Sequence, residues 1–141
     1  MKELTFGYSD SPDFAEYNEK MKRLQLNGKE FFTLDEFLHS DCALHMKLRN
    51  EPTVSSLENL CTLVRRVLWP ARLVMGSPIY ITSGYRSAAV NNAVGGAVNS
   101  FHRLGRAADV SAANLEKLFK VLELLPHTEL IRYKNFIHVA L

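Results

Sequence analysis

A chain of 141 residues suits one domain with a single core. With 47% hydrophobic and 23% charged residues, and no apolar run long enough to span a bilayer, it reads as an ordinary globular protein, neither disordered nor membrane-embedded. A formal net charge of +2, with basic residues scattered in short pairs such as Arg65–Arg66, argues against a nucleic-acid partner.

The opening stretch MKELTFGYSDSPDF lacks the apolar centre and cleavage site of a signal peptide, which points to synthesis in the cytoplasm. Residues 1–31 carry no motif and read as an N-terminal extension ahead of a domain over 32–141. TLDE is a capping box, with Thr33 as N-cap and Glu36 three residues on. It predicts a helix through about His45, with Leu34, Phe37 and Leu38 facing inward. Over 55–76, Leu57, Leu60, Cys61, Val64 and Leu68 follow the helical period and Gly76 offers a C-cap. Pro70 lies inside this pattern and predicts a kink. The two cysteines, Cys42 and Cys61, sit in helical apolar patterns without C-x-x-C spacing and read as buried free thiols.

PIYIT (78–82) predicts a buried strand, GY a turn, and Ser87 the cap of a short helix ending at Gly95–Gly96. AADV (107–110) predicts a second strand, and NLEKLFKVLELLP an amphipathic helix burying Leu115, Leu118, Phe119 and Leu122. ELIRY and FIHVAL predict a closing hairpin around Lys134–Asn135. Helices early and short strands late make the class α+β, a small, mainly antiparallel sheet with helices on one side.

Period-2 alternation puts Ile137, Val139 and Leu141 on the core face of the last strand, so His138 faces the other way. The same alternation sends Ala108 and Val110 inward and Asp109 outward. Adjacent strands would present Asp109 and His138 side by side, and His102, on the loop entering the first of them, can reach the same place. Two imidazoles and a carboxylate suit a catalytic zinc with a fourth position for water, whose pKa would fall to about 7. Hydrogen-bonded histidines on an exposed strand face would give the same pattern.

SFHRLGRAAD (100–109) resembles the S-x-H-x-x-G-x-A-x-D motif of the zinc D-alanyl-D-alanine carboxypeptidase family, relatives of VanX and of the hedgehog zinc domain. FIHVAL is similar to its terminal W-I-H-V segment. FTLDEFLHSD, ENLCTLVRRVLWPAR and PIYITSGYRSAAVNNAVGG extend the likeness, closest to phage-type members, over about residues 32–141. The resemblance implies one zinc per chain on His102, Asp109 and His138, in a cleft on the sheet face away from the helices. It implies a substrate and oxyanion role for Arg86 and a place near the metal for Ser100, whose hydroxyl could instead cap the loop. Gly95, Gly96 and Gly105 read as turn residues.

Many relatives carry a glutamate base at what is Asn135 here, and phage-type relatives an acidic residue at what is Tyr133. Neither carboxylate is present. Glu129, on the same predicted strand face as Tyr133, is the weak candidate for the base, and otherwise a solvated charge; His127 is a further polar neighbour. The resemblance implies a zinc peptidase acting on peptidoglycan stem peptides or D-Ala-D-Ala-terminated peptides; charge and apolar pattern add the expectation of no nucleic-acid or membrane partner, and a monomer is expected. A phage or prophage setting would release it to the wall during lysis. Two alternatives stand beside this: an L-Ala–D-Glu endopeptidase, and a non-catalytic zinc module that binds wall peptide.

Overall fold

The computed structural model describes residues 31–141. The extension assigned to residues 1–31 therefore lies outside the described residues, apart from Phe31, whose ring carries the Arg72 guanidinium 4.4 Å from its centroid.

Thr33 and Glu36 form the predicted capping box at the start of α1 (Leu34–Leu38). The helix expected to run on to His45 stops at His39, in extended conformation, and Ser40 caps a second one, α2 (Asp41–Met46). Ser40 Oγ accepts from the Ala43 N–H at 3.1 Å, so the chain restarts at a residue better suited to capping than to a helix interior. The break leaves only Ala43 of α2 buried. Cys42 is consequently half-buried, not buried as expected, whereas Cys61 is buried; neither is in a disulfide among the described residues.

The long helical pattern begins one residue earlier than read, capped by Thr53, as α3 (Val54–Leu63). It passes through a π-helical turn at Val64–Leu68 into α4 (Trp69–Met75), which closes at Gly76. Pro70 disturbs this helix through that turn. The Trp69 N–H reaches back to the Val64 carbonyl, five residues away, where the ladder must accommodate a ring with no N–H to donate.

Four strands follow: β1 (Tyr80–Ser83), β2 (Ala107–Ser111), β3 (Glu129–Arg132) and β4 (Ile137–Ala140). They form an antiparallel sheet in the order β1-β2-β4-β3. β1 was expected to be buried, but it is an edge strand and Tyr80 is 58% exposed. Between strands lie α5 (Ala88–Ala93), capped by Ser87 as predicted, a 3₁₀ turn at Phe101–Leu104, and α6 (Leu115–Glu123). The hairpin turns at Lys134–Asn135, closed by a Tyr133 N–H to Phe136 carbonyl bond of 2.9 Å.

One sheet face carries Ala108, Val110, Ile137 and Val139 into a core shared with Leu60, Val64, Leu68, Leu118 and Leu122. Fully burying a leucine such as Leu118 contributes about 1.5–3 kcal/mol. The arrangement is α+β, with helices on one face of a small antiparallel sheet. Among the described residues no helix is long and apolar enough to cross a membrane.

Candidate metal centre

The 3₁₀ turn delivers His102. Ser100 Oγ caps it by accepting from the His102 N–H at 3.2 Å, and Gly105, at φ 72°, closes it. A Cβ at position 105 would stand 2.3 Å from the Ser56 carbonyl oxygen of α3, so both the backbone angle and the close approach demand glycine. Asn59 ties the turn to α3 by donating to the Leu104 carbonyl at 2.8 Å.

The His102 ring is buried, and its Nδ1 lies 2.7 Å from the Gly84 carbonyl. A carbonyl only accepts, so Nδ1 donates its proton there, and Nε2 is the ring nitrogen turned to the sheet. Gly84 can sit here because it lacks a side chain: a Cβ would come within 2.5 Å of the Phe37 carbonyl oxygen.

Asp109 and His138 are direct cross-strand partners of β2 and β4, on the face opposite the core residues of both strands. Asp109 Oδ1 is 3.2 Å from His102 Nε2 and 3.0 Å from His138 Nδ1. Burial alone would raise the Asp109 pKa, but the hydrogen bonds to His102 and His138, with their charges, outweigh it and hold the carboxyl at about 2. His138 is pushed above its ordinary value, first by its bond to Asp109 and against the effect of burial, with Glu129 adding to the rise.

These three side chains each offer a ligand atom, all within 4.8 Å of one another. Donors sharing a tetrahedral zinc at ~2.1 Å stand about 3.4 Å apart, close to the observed 3.0 and 3.2 Å. The set of two imidazoles and one carboxylate fits zinc in chemistry and in spacing.

Arg86 stands beside it. Its Nε donates to Ser83 Oγ at 3.1 Å, Nη1 to Asn91 Oδ1 at 3.4 Å, and Nη2 to Asp109 Oδ2 at 3.4 Å. Backbone contacts bind its loop to the ligand turn: the Arg86 N–H donates to the His102 carbonyl at 3.0 Å. Asn50, wholly buried, holds the same loop, donating to the Leu38 and Tyr85 carbonyls and accepting from the Ser87 N–H. Sequence reasoning missed Asn50, Ser83, Gly84 and Asn91. Ser83, Gly84 and Asn91 lie within PIYITSGYRSAAVNNAVGG, and Gly84 falls in the turn predicted there, but Asn50 carries no local signal.

A cavity of about 440 Å³ opens here, lined among others by the three candidate ligands, Arg86, Ser100, Phe101, Glu129, Tyr133 and Phe136. Tyr133 and Phe136 stack at 4.6 Å between ring centroids. Glu129 Oε1 lies 2.8 Å from His138 Nε2. Asn135 and His127 are not among the lining residues: the Asn135 carbonyl accepts from Ser111 Oγ at 3.2 Å, and His127 Nδ1 pairs with the Leu125 carbonyl at 2.8 Å.

A family model described as peptidase M15 matches residues 30–140, nearly the whole described chain. Members of that family are zinc-dependent metallopeptidases. Comparison with curated proteins gives no match.

Proposed function

The chain belongs to the peptidase M15 family, and on that premise we propose that it hydrolyses peptidoglycan peptides, removing the terminal residue of D-Ala-D-Ala-ended chains. The observation that carries this reading is the convergence of His102, Asp109 and His138 next to the Arg86 guanidinium in one cavity. His102 Nε2, Asp109 Oδ1 and His138 Nδ1 would hold the zinc ion. Bound there, zinc supplies a Lewis acid that activates water and polarises a carbonyl.

The rest of the chemistry falls to the chain's own groups. Ser83 and Asn91 hold Arg86 in place, and its bond to Asp109 is long, so its fork keeps donors for a substrate. A guanidinium there can pair with the terminal carboxylate or with the oxyanion that forms as the scissile carbonyl is attacked. Phe101, Tyr133 and Phe136 give the cavity an apolar wall suited to an alanyl methyl group. Ser100 accepts from a backbone N–H, which leaves its O–H as a donor to substrate.

A second reading, a zinc module that binds wall peptide without cutting it, has one observation in its favour. The lining carboxylates are Asp109 and Glu129, and both are bonded to imidazoles. Mass spectrometry of defined stem peptides after incubation with zinc-loaded protein separates these outcomes. Loss of the terminal D-Ala supports the carboxypeptidase. Cleavage between L-Ala and D-Glu replaces it with an endopeptidase, and intact peptides that nevertheless bind replace it with the module.

A further inference from the structure

We propose that Glu129 is a positioning residue for the metal centre: its carboxylate accepts the Nε2–H of His138 and so presents Nδ1 as the ligand atom. This assigns Glu129 to the ligand, not to the proton-transfer step, and it rests on the zinc reading of the site.

The sheet places Glu129 to do this. β3 and β4 pair antiparallel, with Glu129 opposite Ala140 and Ile131 opposite His138. Residues directly opposed, and those two apart on one strand, share a face, so Glu129 lies diagonally across from His138. A long side chain spans that diagonal, and the Glu129 carboxylate meets His138 Nε2 at 2.8 Å. A glutamate on an edge strand, with its side chain 45% exposed, had water as an alternative partner.

The consequence follows from the two ends of the ring. A carboxylate facing Nε2 requires a proton there, and a neutral imidazole has only one to give. With the metal bound, Nδ1 is then left with its lone pair for it, and Nδ1 already points to the centre, 3.0 Å from Asp109 Oδ1. His102 is held by the same logic in mirror image: its Nδ1–H donates to the Gly84 carbonyl, which leaves Nε2 to face the centre. The centre therefore combines one Nε2 and one Nδ1 donor, each fixed by an acceptor on the far side of its ring. Such outer partners orient a ligand histidine and raise its basicity, and losing one typically costs 10–100-fold in metal affinity.

The test is zinc affinity by chelator competition at neutral pH for wild type, Glu129→Ala and Glu129→Gln, with thermal melts to establish that each is folded. The alanine variant should bind zinc about 10–100-fold more weakly. The glutamine variant should lose less, because its amide oxygen still accepts from Nε2–H. Nitrogen-15 imidazole spectra of the zinc form should show the His138 proton on Nε2. Wild-type affinity in the alanine variant, or turnover lost in the glutamine variant at unchanged affinity, would overturn the positioning role. Failure of the zinc reading looks different: wild type itself would take up no zinc.

Discussion

One oxygen of Asp109 faces two imidazole nitrogens, and this contact sets how the metal-free protein should answer to pH. The Asp109 carboxyl is held at about 2, below its ordinary 3.8, so its contribution to stability is complete above 3.8 and lost as pH falls towards 2. His138 is held above its ordinary 6.5, so its contribution is complete below 6.5 and lost as pH rises through the raised value. Melting temperatures of chelator-treated protein should therefore peak between 3.8 and 6.5 and fall on both sides. With zinc bound the alkaline fall should vanish, because the metal replaces the proton on His138. A metal-free melt that keeps rising above neutral pH would contradict these assignments. At Arg86 the expectation is kinetic. Arg86→Ala should retain zinc at saturating metal yet lose about 10²-fold or more in turnover, the scale of removing an oxyanion partner. Unchanged turnover would reduce Arg86 to a prop for Asp109.

Among the elements, the closing hairpin and the 3₁₀ turn carry the site, and each exposes a different residue to test. Gly105→Ala forces an L side chain into the left-handed region, at about 1–2 kcal/mol, and drives its Cβ into the Ser56 carbonyl. It should lower stability in urea and weaken zinc binding together, because the turn that moves is the one holding His102. A loss of stability with zinc affinity intact would uncouple turn from ligand. The hairpin decides where an added carboxylate could meet the cavity. Tyr133 lines the cavity and Asn135 does not, so Tyr133→Glu should raise turnover by about tenfold or more while Asn135→Glu gains little. The reverse ranking would move the hairpin relative to the cavity. This division was not legible in the sequence: Tyr133 stands just before the turn and Asn135 within it, and only the observed pairing shows which of them meets the cavity. The alternation in FIHVAL was legible because one face of β4 is buried, which permits a single phase. The break at His39–Ser40 was hidden beneath apolar spacing that suits one helix as well as two. Ser40-Asp41, a capping residue before an acid, was its one local sign.

For the whole molecule, the candidate zinc ligands come from two segments 29 residues apart along the chain, counting from Asp109 to His138, and from a turn packed on α3. Strand alternation made the juxtaposition of Asp109 and His138 legible, since it converts sequence directly into facing. The groups that hold them were not, because Gly84, Asn50 and Asn91 act through contacts made only after α1, α5 and the sheet have packed. Such a site should couple metal to folding. At free zinc a thousandfold above Kd, binding stabilises the folded state by about 4 kcal/mol, which should raise the melting temperature by about 10 °C or more over the chelated protein. An unchanged melt would place any bound zinc outside the folded core of the site. The most direct measurement of the central claim is elemental analysis of protein purified without chelator, wild type beside His138→Ala. One zinc per chain in wild type, largely lost in His138→Ala, is the predicted result; stoichiometric zinc retained by the variant would contradict the three-ligand centre.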